Sequence, residues 1–166
     1  MLILLSGFSI RLPGTEVVTD PREMFVTMGA ALTGPLGGAL IGFMCGVFDP
    51  TPGWTVIVMI YHAAGGLWIG FAYKKLIYRH LKMPLLLAGW VGSVAVYYYG
   101  FLVPISIYLT YAVQPALFEK IFGETSPSLG LLVTLYKFLV PEAVLTSLVT
   151  LLVLLALPAK YRRPLW

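Results

Sequence analysis

The chain has 166 residues, 59% of them apolar and only 11% charged, with a mean hydropathy of +0.90. A soluble domain is about a quarter charged, so this composition excludes that class and reads as one membrane-embedded domain over residues 1–166. The net charge of +4 gathers beside apolar spans with no basic patch interleaved with aromatics, which excludes a nucleic-acid partner, and the single Cys45 supplies neither a disulfide nor a metal framework.

In chain order, Met1 to Ile10 is apolar but only half the length that a span requires. It reads as an interfacial segment or as the end of a longer first helix. It has no basic n-region and no convincing cleavage site, so it is not read as a signal peptide. Arg11 to Glu23 is a polar loop leading to a helix start at Pro21.

Met24 to Phe48 follows without a charge, and in it Gly34, Gly38, Gly42 and Gly46 recur at every fourth residue. In lipid, helices associate by close backbone approach, and small residues at this spacing form a packing face. Gly34-Pro35 interrupts the run, because glycine suits a helix end and proline a helix start. A straight helix of about 25 residues would span roughly 37 Å, enough to cross, whereas two halves would each be too short. The residues alone leave a kink and a hairpin both open.

Asp49 to Gly53 reads as a tight turn and Trp54 to Tyr73 as an uncharged span with an aromatic residue at each interface. Lys74, Lys75, Arg79, His80 and Lys82 then form the strongest basic cluster. Met83 to Phe118 carries no charge. One long helix there, bent or ended near Pro104, places that cluster and Lys160, Arg162 and Arg163 on the same, cytoplasmic side. An outer segment to about Pro127 and a last helix over Leu129 to Leu157 complete the chain, with Asp49 and residues 119–128 facing outward. The fold expected is all-α and polytopic, with about five to six transmembrane segments, the N-terminal one short, a cytoplasmic C-terminus and a plasma-membrane location.

Ionisable groups within spans are costly and default to functional candidates. Glu142 and Lys137 lie in the last helix about 140° apart around it, so they do not share a face. Glu142 is the deeper of the two, while Lys137 also suits snorkelling to the interface. Asp49 is a candidate that equally suits closing its turn. His62 suits a ligand contact or a hydrogen bond between helices. Tyr97, Tyr98 and Tyr99 cover most of a helix circumference, so at least one faces protein, as a ligand wall or as packing. No catalytic signature, P-loop or metal-ligand spacing occurs, and no enzyme, cofactor or metal is expected.

These features, above all DPREMFVTMGAALTGPLGGALIGF and YKFLVPEAVLTSLVTLL, resemble the substrate-binding S components of energy-coupling-factor vitamin transporters over nearly the whole chain. The resemblance implies a tight cytoplasmic Gly-Pro turn, an outer first loop that lids the site, and capture of a vitamin-like small molecule from outside. It also implies an integral coupling subunit and separate ATPases as partners. Under it, Trp54, His62, Tyr98, Lys137, Glu142 and Asp49 are the ligand-binding candidates, with Gly34, Gly38, Gly42 and Gly46 as the packing face. The chain also resembles the five-helix receptor domain of LytS-type sensor kinases, through Asp20-x-Arg22 and Gly46-Val47-Phe48. Asp49 stands where that family typically has arginine, and Thr146 and Val149 where it favours asparagine and glycine. A ligand-sensing receptor domain, or a small accessory subunit that packs through its glycine face, is the alternative.

Overall fold

The structure, a computed structural model, describes residues 10–11, 18–19, 22–49, 53–78, 83–158 and 160–162. It is helical apart from a two-residue antiparallel ladder, β1 (Ile10–Arg11) on β2 (Val18–Thr19). The helices are α1 (Arg22–Val47), α2 (Thr55–Ala72) with a π-helical end over Tyr73–Ile77, and α3 (Met83–Ala95). A π-helical segment (Val96–Leu102) joins α3 to α4 (Val103–Val113), and α5 (Pro115–Phe122) and α6 (Leu129–Ala156) follow. Among the described residues, four stretches are long and apolar enough to cross a membrane: Arg22–Val47, Thr55–Ile77, Pro84–Val113 and Leu129–Ala156. The apolar segment before Ile10, most of the expected lid loop and residues 79–82 of the basic cluster lie outside the described residues.

Large apolar side chains such as Leu36, Leu40, Leu148 and Leu152 face outward, while His62, Ser93, Thr110, Thr146 and Thr150 are buried. That inversion suits a chain solvated by lipid, where every polar group must be satisfied inside. Thr27, Ser93, Thr110, Ser147 and Thr150 meet the requirement by donating to the carbonyl four residues earlier on their own helices.

Within α1 the backbone leaves the helical region at Gly34 (φ 80°, ψ −172°), a left-handed φ that glycine adopts without strain. The arms on either side run close together. A Cβ on Gly29 would run into the Ile41 side chain, and Arg22 Nη2 lies 2.9 Å from Asp49 Oδ2. A continuous helix would hold residues 22 and 49 about 40 Å apart.

The glycine face of the second arm packs inside the protein, antiparallel to α2. A Cβ on Gly38 would strike the Gly66 backbone, one on Gly42 the His62 backbone, and one on Gly46 the Met59 backbone at 2.5 Å. A Cβ on Gly70 would meet Gly34 and Pro35 in the same way. Only glycine permits backbones this close.

Pro104 does not end its helix. The π-helical segment just before it widens the turn, and α4 continues to Val113. Gln114 breaks the helical path, Pro115 starts α5, and the left-handed Gly123 stops it. Ser128 caps α6 by accepting from Leu131 N at 3.0 Å, and its hydroxyl donates to Glu124 at 2.6 Å.

Candidate functional site

Two ends of the bundle differ in chemistry. At one, Tyr73 donates to the Arg162 carbonyl (3.2 Å), and Lys74, Lys75 and Lys160 lie nearby in sequence. At the other, the Gly53–Trp54 turn meets α5, with Trp54 and Phe122 edge to face at 5.8 Å. Beneath that contact lies a cavity walled by Glu23, Trp54, Tyr61, Leu102, Val103, Ser106, Phe122, Leu135, Leu139 and Glu142, drawn from α1, α2, α4, α5 and α6 and the turns beside them.

One wall is the first turn of α1. Glu23 Oε2 accepts from the Tyr97 hydroxyl at 2.5 Å and lies 3.0 Å from His62 Nδ1, while Nδ1 is 2.9 Å from the same hydroxyl. The Tyr97 proton goes to the carboxylate, so the hydrogen on His62 belongs on Nδ1, where it can serve either oxygen. His62 Nε2 is buried and has no hydrogen-bond partner among the described residues.

The opposite wall is α6. Tyr98 donates to Glu142 Oε1 at 2.9 Å, and its oxygen lies 3.0 Å from Thr146 Oγ1. Pro141 precedes Glu142 and lacks an N–H, so the carbonyl of Lys137 loses its helical partner just beside this wall.

Consecutive tyrosines thus serve two carboxylates on different helices, and both are fully buried. The π-helical segment that carries them makes this possible, because its wider turn directs both neighbours into the bundle. Their rings meet edge to face at 5.2 Å. Gly65 gives Tyr97 its place, since a Cβ there would overlap the ring.

Four of the sequence candidates therefore join this site. Trp54 and Glu142 line the cavity, and His62 and Tyr98 support its carboxylates. Two do not. Lys137 is exposed on the far side of α6, as its offset of about 140° from Glu142 requires, so it does not bound the pocket. Asp49 pairs with Arg22 across the ends of α1 instead of lining the cavity.

Glu23 is the residue that sequence reasoning missed. The sequence reading places it at the end of the polar loop, where an acid at a helix start looks like an ordinary partner for the helix dipole. Its available signal was position: it sits one residue ahead of an uncharged apolar run, hence within reach of the membrane interior.

The free space is about 30 Å³, room for a water molecule. Small-molecule pockets are roughly 300 Å³ or more, so this space as it stands does not hold an organic guest. No known protein family matches this chain, and neither does any characterised protein or solved structure.

Proposed function

We propose that the protein is a membrane-embedded small-molecule binding subunit that captures its ligand at the acidic end of the bundle, as an S component of an energy-coupling-factor uptake transporter does. The observation that carries this reading is the convergence of Glu23 and Glu142 from different helices on one cavity inside an apolar bundle. Two carboxyl groups in such a place sacrifice hydration, and packing alone gives no reason to keep them there.

In this reading α1 is a re-entrant hairpin whose two ends lie on the outer side. The reading draws on the Gly34 backbone and the Arg22–Asp49 contact. The hairpin and the three spans that follow leave the 74–82 cluster and the C-terminus cytoplasmic, in accord with the positive-inside rule. The short helix α5, amphipathic with Phe118, Ile121 and Phe122 buried, acts as the outer cover. Ligand binding displaces it from Trp54, and Gln114 and Gly123 at its two ends serve as hinges. The sequence carries no nucleotide-binding motif, so transport energy comes from separate ATPases through an integral coupling subunit.

Affinity purification from the native host tests this. The expected result is co-isolation of an integral membrane partner and one or two ATPases. Recovery of a kinase or cyclase without any ATPase would overturn the transporter assignment in favour of a receptor domain.

A further inference from the structure

Charge is divided between the two ends of the bundle. The sequence has no acidic residue between Asp49 and Glu119 or after Glu142, and those intervals hold seven of its eleven lysines and arginines, clustered at 74–82 and 160–163. The seven acids belong to the other end. Glu16 and Asp20 lie within six residues of Arg22, Asp49 pairs with Arg22, Glu23 and Glu142 line the cavity, and Glu119 and Glu124 flank Phe122 beside Trp54. About 21 Å of α6 then separates Glu142 from Ala156. No carboxylate side chain of this sequence reaches the basic end.

Arg162 is the cation that the fold positions there. Its carbonyl accepts from the Tyr73 hydroxyl at 3.2 Å, which fastens the segment after α6 to the end of α2. Its half-buried side chain joins a cleft walled by Tyr73 and Ile77 at the π-helical end of α2, Leu86 and Trp90 of α3, and Leu151 of α6. The Nε atom is buried, with no hydrogen-bond partner among the described residues. A guanidinium partly removed from water gives up hydration, and a bound oxyanion restores the lost interaction. Lys75 and Lys160, by contrast, are exposed.

We propose that Arg162 holds the phosphate of an anionic phospholipid at the mouth of this cleft. The guanidinium fork matches phosphate oxygens, and basic pockets between membrane helices suit such headgroups. The cleft leaves only about 10 Å³ free, so the acyl chains run outside it. Leu85 and Leu152, each next to a cleft residue, are 60% and 66% exposed and give those chains an apolar track. A free phosphate ion would meet the same guanidinium but make no use of that track. The site is independent of what the cavity at the other end binds.

The test uses the full chain in nonionic detergent with dansyl-labelled phosphatidylglycerol, read by energy transfer from the tryptophans, of which Trp90 lines the cleft. Unlabelled phosphatidylglycerol, phosphatidylcholine and inorganic phosphate compete with it. The expected result is saturable binding that unlabelled phosphatidylglycerol displaces at least about tenfold more effectively than either of the others. Arg162→Gln should weaken binding at least about tenfold, as the loss of a hydrogen bond to a charged group requires. Lys75→Gln and Lys160→Gln should each weaken it less than about fivefold, the share of one cation near a charged surface. Arg162→Lys keeps the charge but not the fork; it should fall between, and it makes the same test if the glutamine variant does not fold. Equal losses at the three positions would show a diffuse field and overturn the site, as would the absence of saturable binding. Displacement by inorganic phosphate or by phosphatidylcholine as effective as by phosphatidylglycerol would overturn the anionic lipid as its occupant.

Discussion

At the scale of single residues, the glycines of α1 differ from a glycine that merely lies in a helix. A Cβ on Gly38 meets the Gly66 backbone, which cannot swing aside, whereas one on Gly92 meets nothing within 4 Å. Gly38→Ala should therefore destabilise the protein by about 1–3 kcal/mol, the usual penalty for overpacking. Gly92→Ala should be neutral or stabilising by up to about 1 kcal/mol through helix propensity. Thermal unfolding of the two variants in detergent checks the pair, and equal effects would contradict the close packing. Tyr97 offers a second test at this scale. Tyr97→Phe removes one of the two donors at Glu23, leaves it His62 Nδ1, and should lower stability by about 1 kcal/mol, the net worth of a single hydrogen bond. Gly65→Ala, which pushes the Tyr97 ring, should also lower stability, without removing a polar atom.

At the scale of elements, the Arg22–Asp49 pair closes the open end of α1, with side-chain exposures of 11% and 5%. Asp49→Ala leaves a buried guanidinium without that partner and should lose about 3 kcal/mol, whereas replacing both residues by apolar ones should lose much less. Chemical denaturation of the single and double variants would show it, and additive losses would contradict a coupled pair. Most of the helical pattern was legible in the sequence, because uncharged runs, Gly-Pro and the Asp49–Gly53 turn are local signals. The four-residue glycine period likewise marked a packing face. The sequence alone did not say whether that face met another helix of this chain or a separate subunit; the structure sets it against α2. Whether the long helix bends or ends near Pro104 stays open in the sequence for a different reason. A π-helical segment has no composition of its own, and only the demand that Tyr97 and Tyr98 both face inward reveals it. Half of the site was legible as well, since Trp54, His62, Tyr98 and Glu142 are conspicuous in apolar surroundings. Glu23 was not, because a carboxylate at a helix start has an ordinary explanation, and only the tertiary fold carries it beneath Trp54.

At the scale of the molecule, the protein is polarised. Basic residues mark one end, and the other holds a small acidic cavity under an aromatic cover. In the topology proposed above, the basic end is the cytoplasmic one. In a Cys45→Ser background, cysteines introduced at Lys75 and Lys160 should be labelled by an impermeant thiol reagent only after the cell is opened. One at Ser126 should be labelled in intact cells; the reverse pattern would invert the orientation. The central claim is that the Glu23–Glu142 cavity holds a ligand, and the most direct measurement is of what the protein carries with it. The wild-type chain and the Glu23→Gln/Glu142→Gln double variant would be purified from the native host under mild conditions. Small molecules released on denaturation would be compared by mass spectrometry at equal protein, with thermal stability matched. The account predicts one small organic compound enriched with the wild type and lost from the variant. A wild-type protein that carries nothing, or a compound retained equally by both, would contradict it.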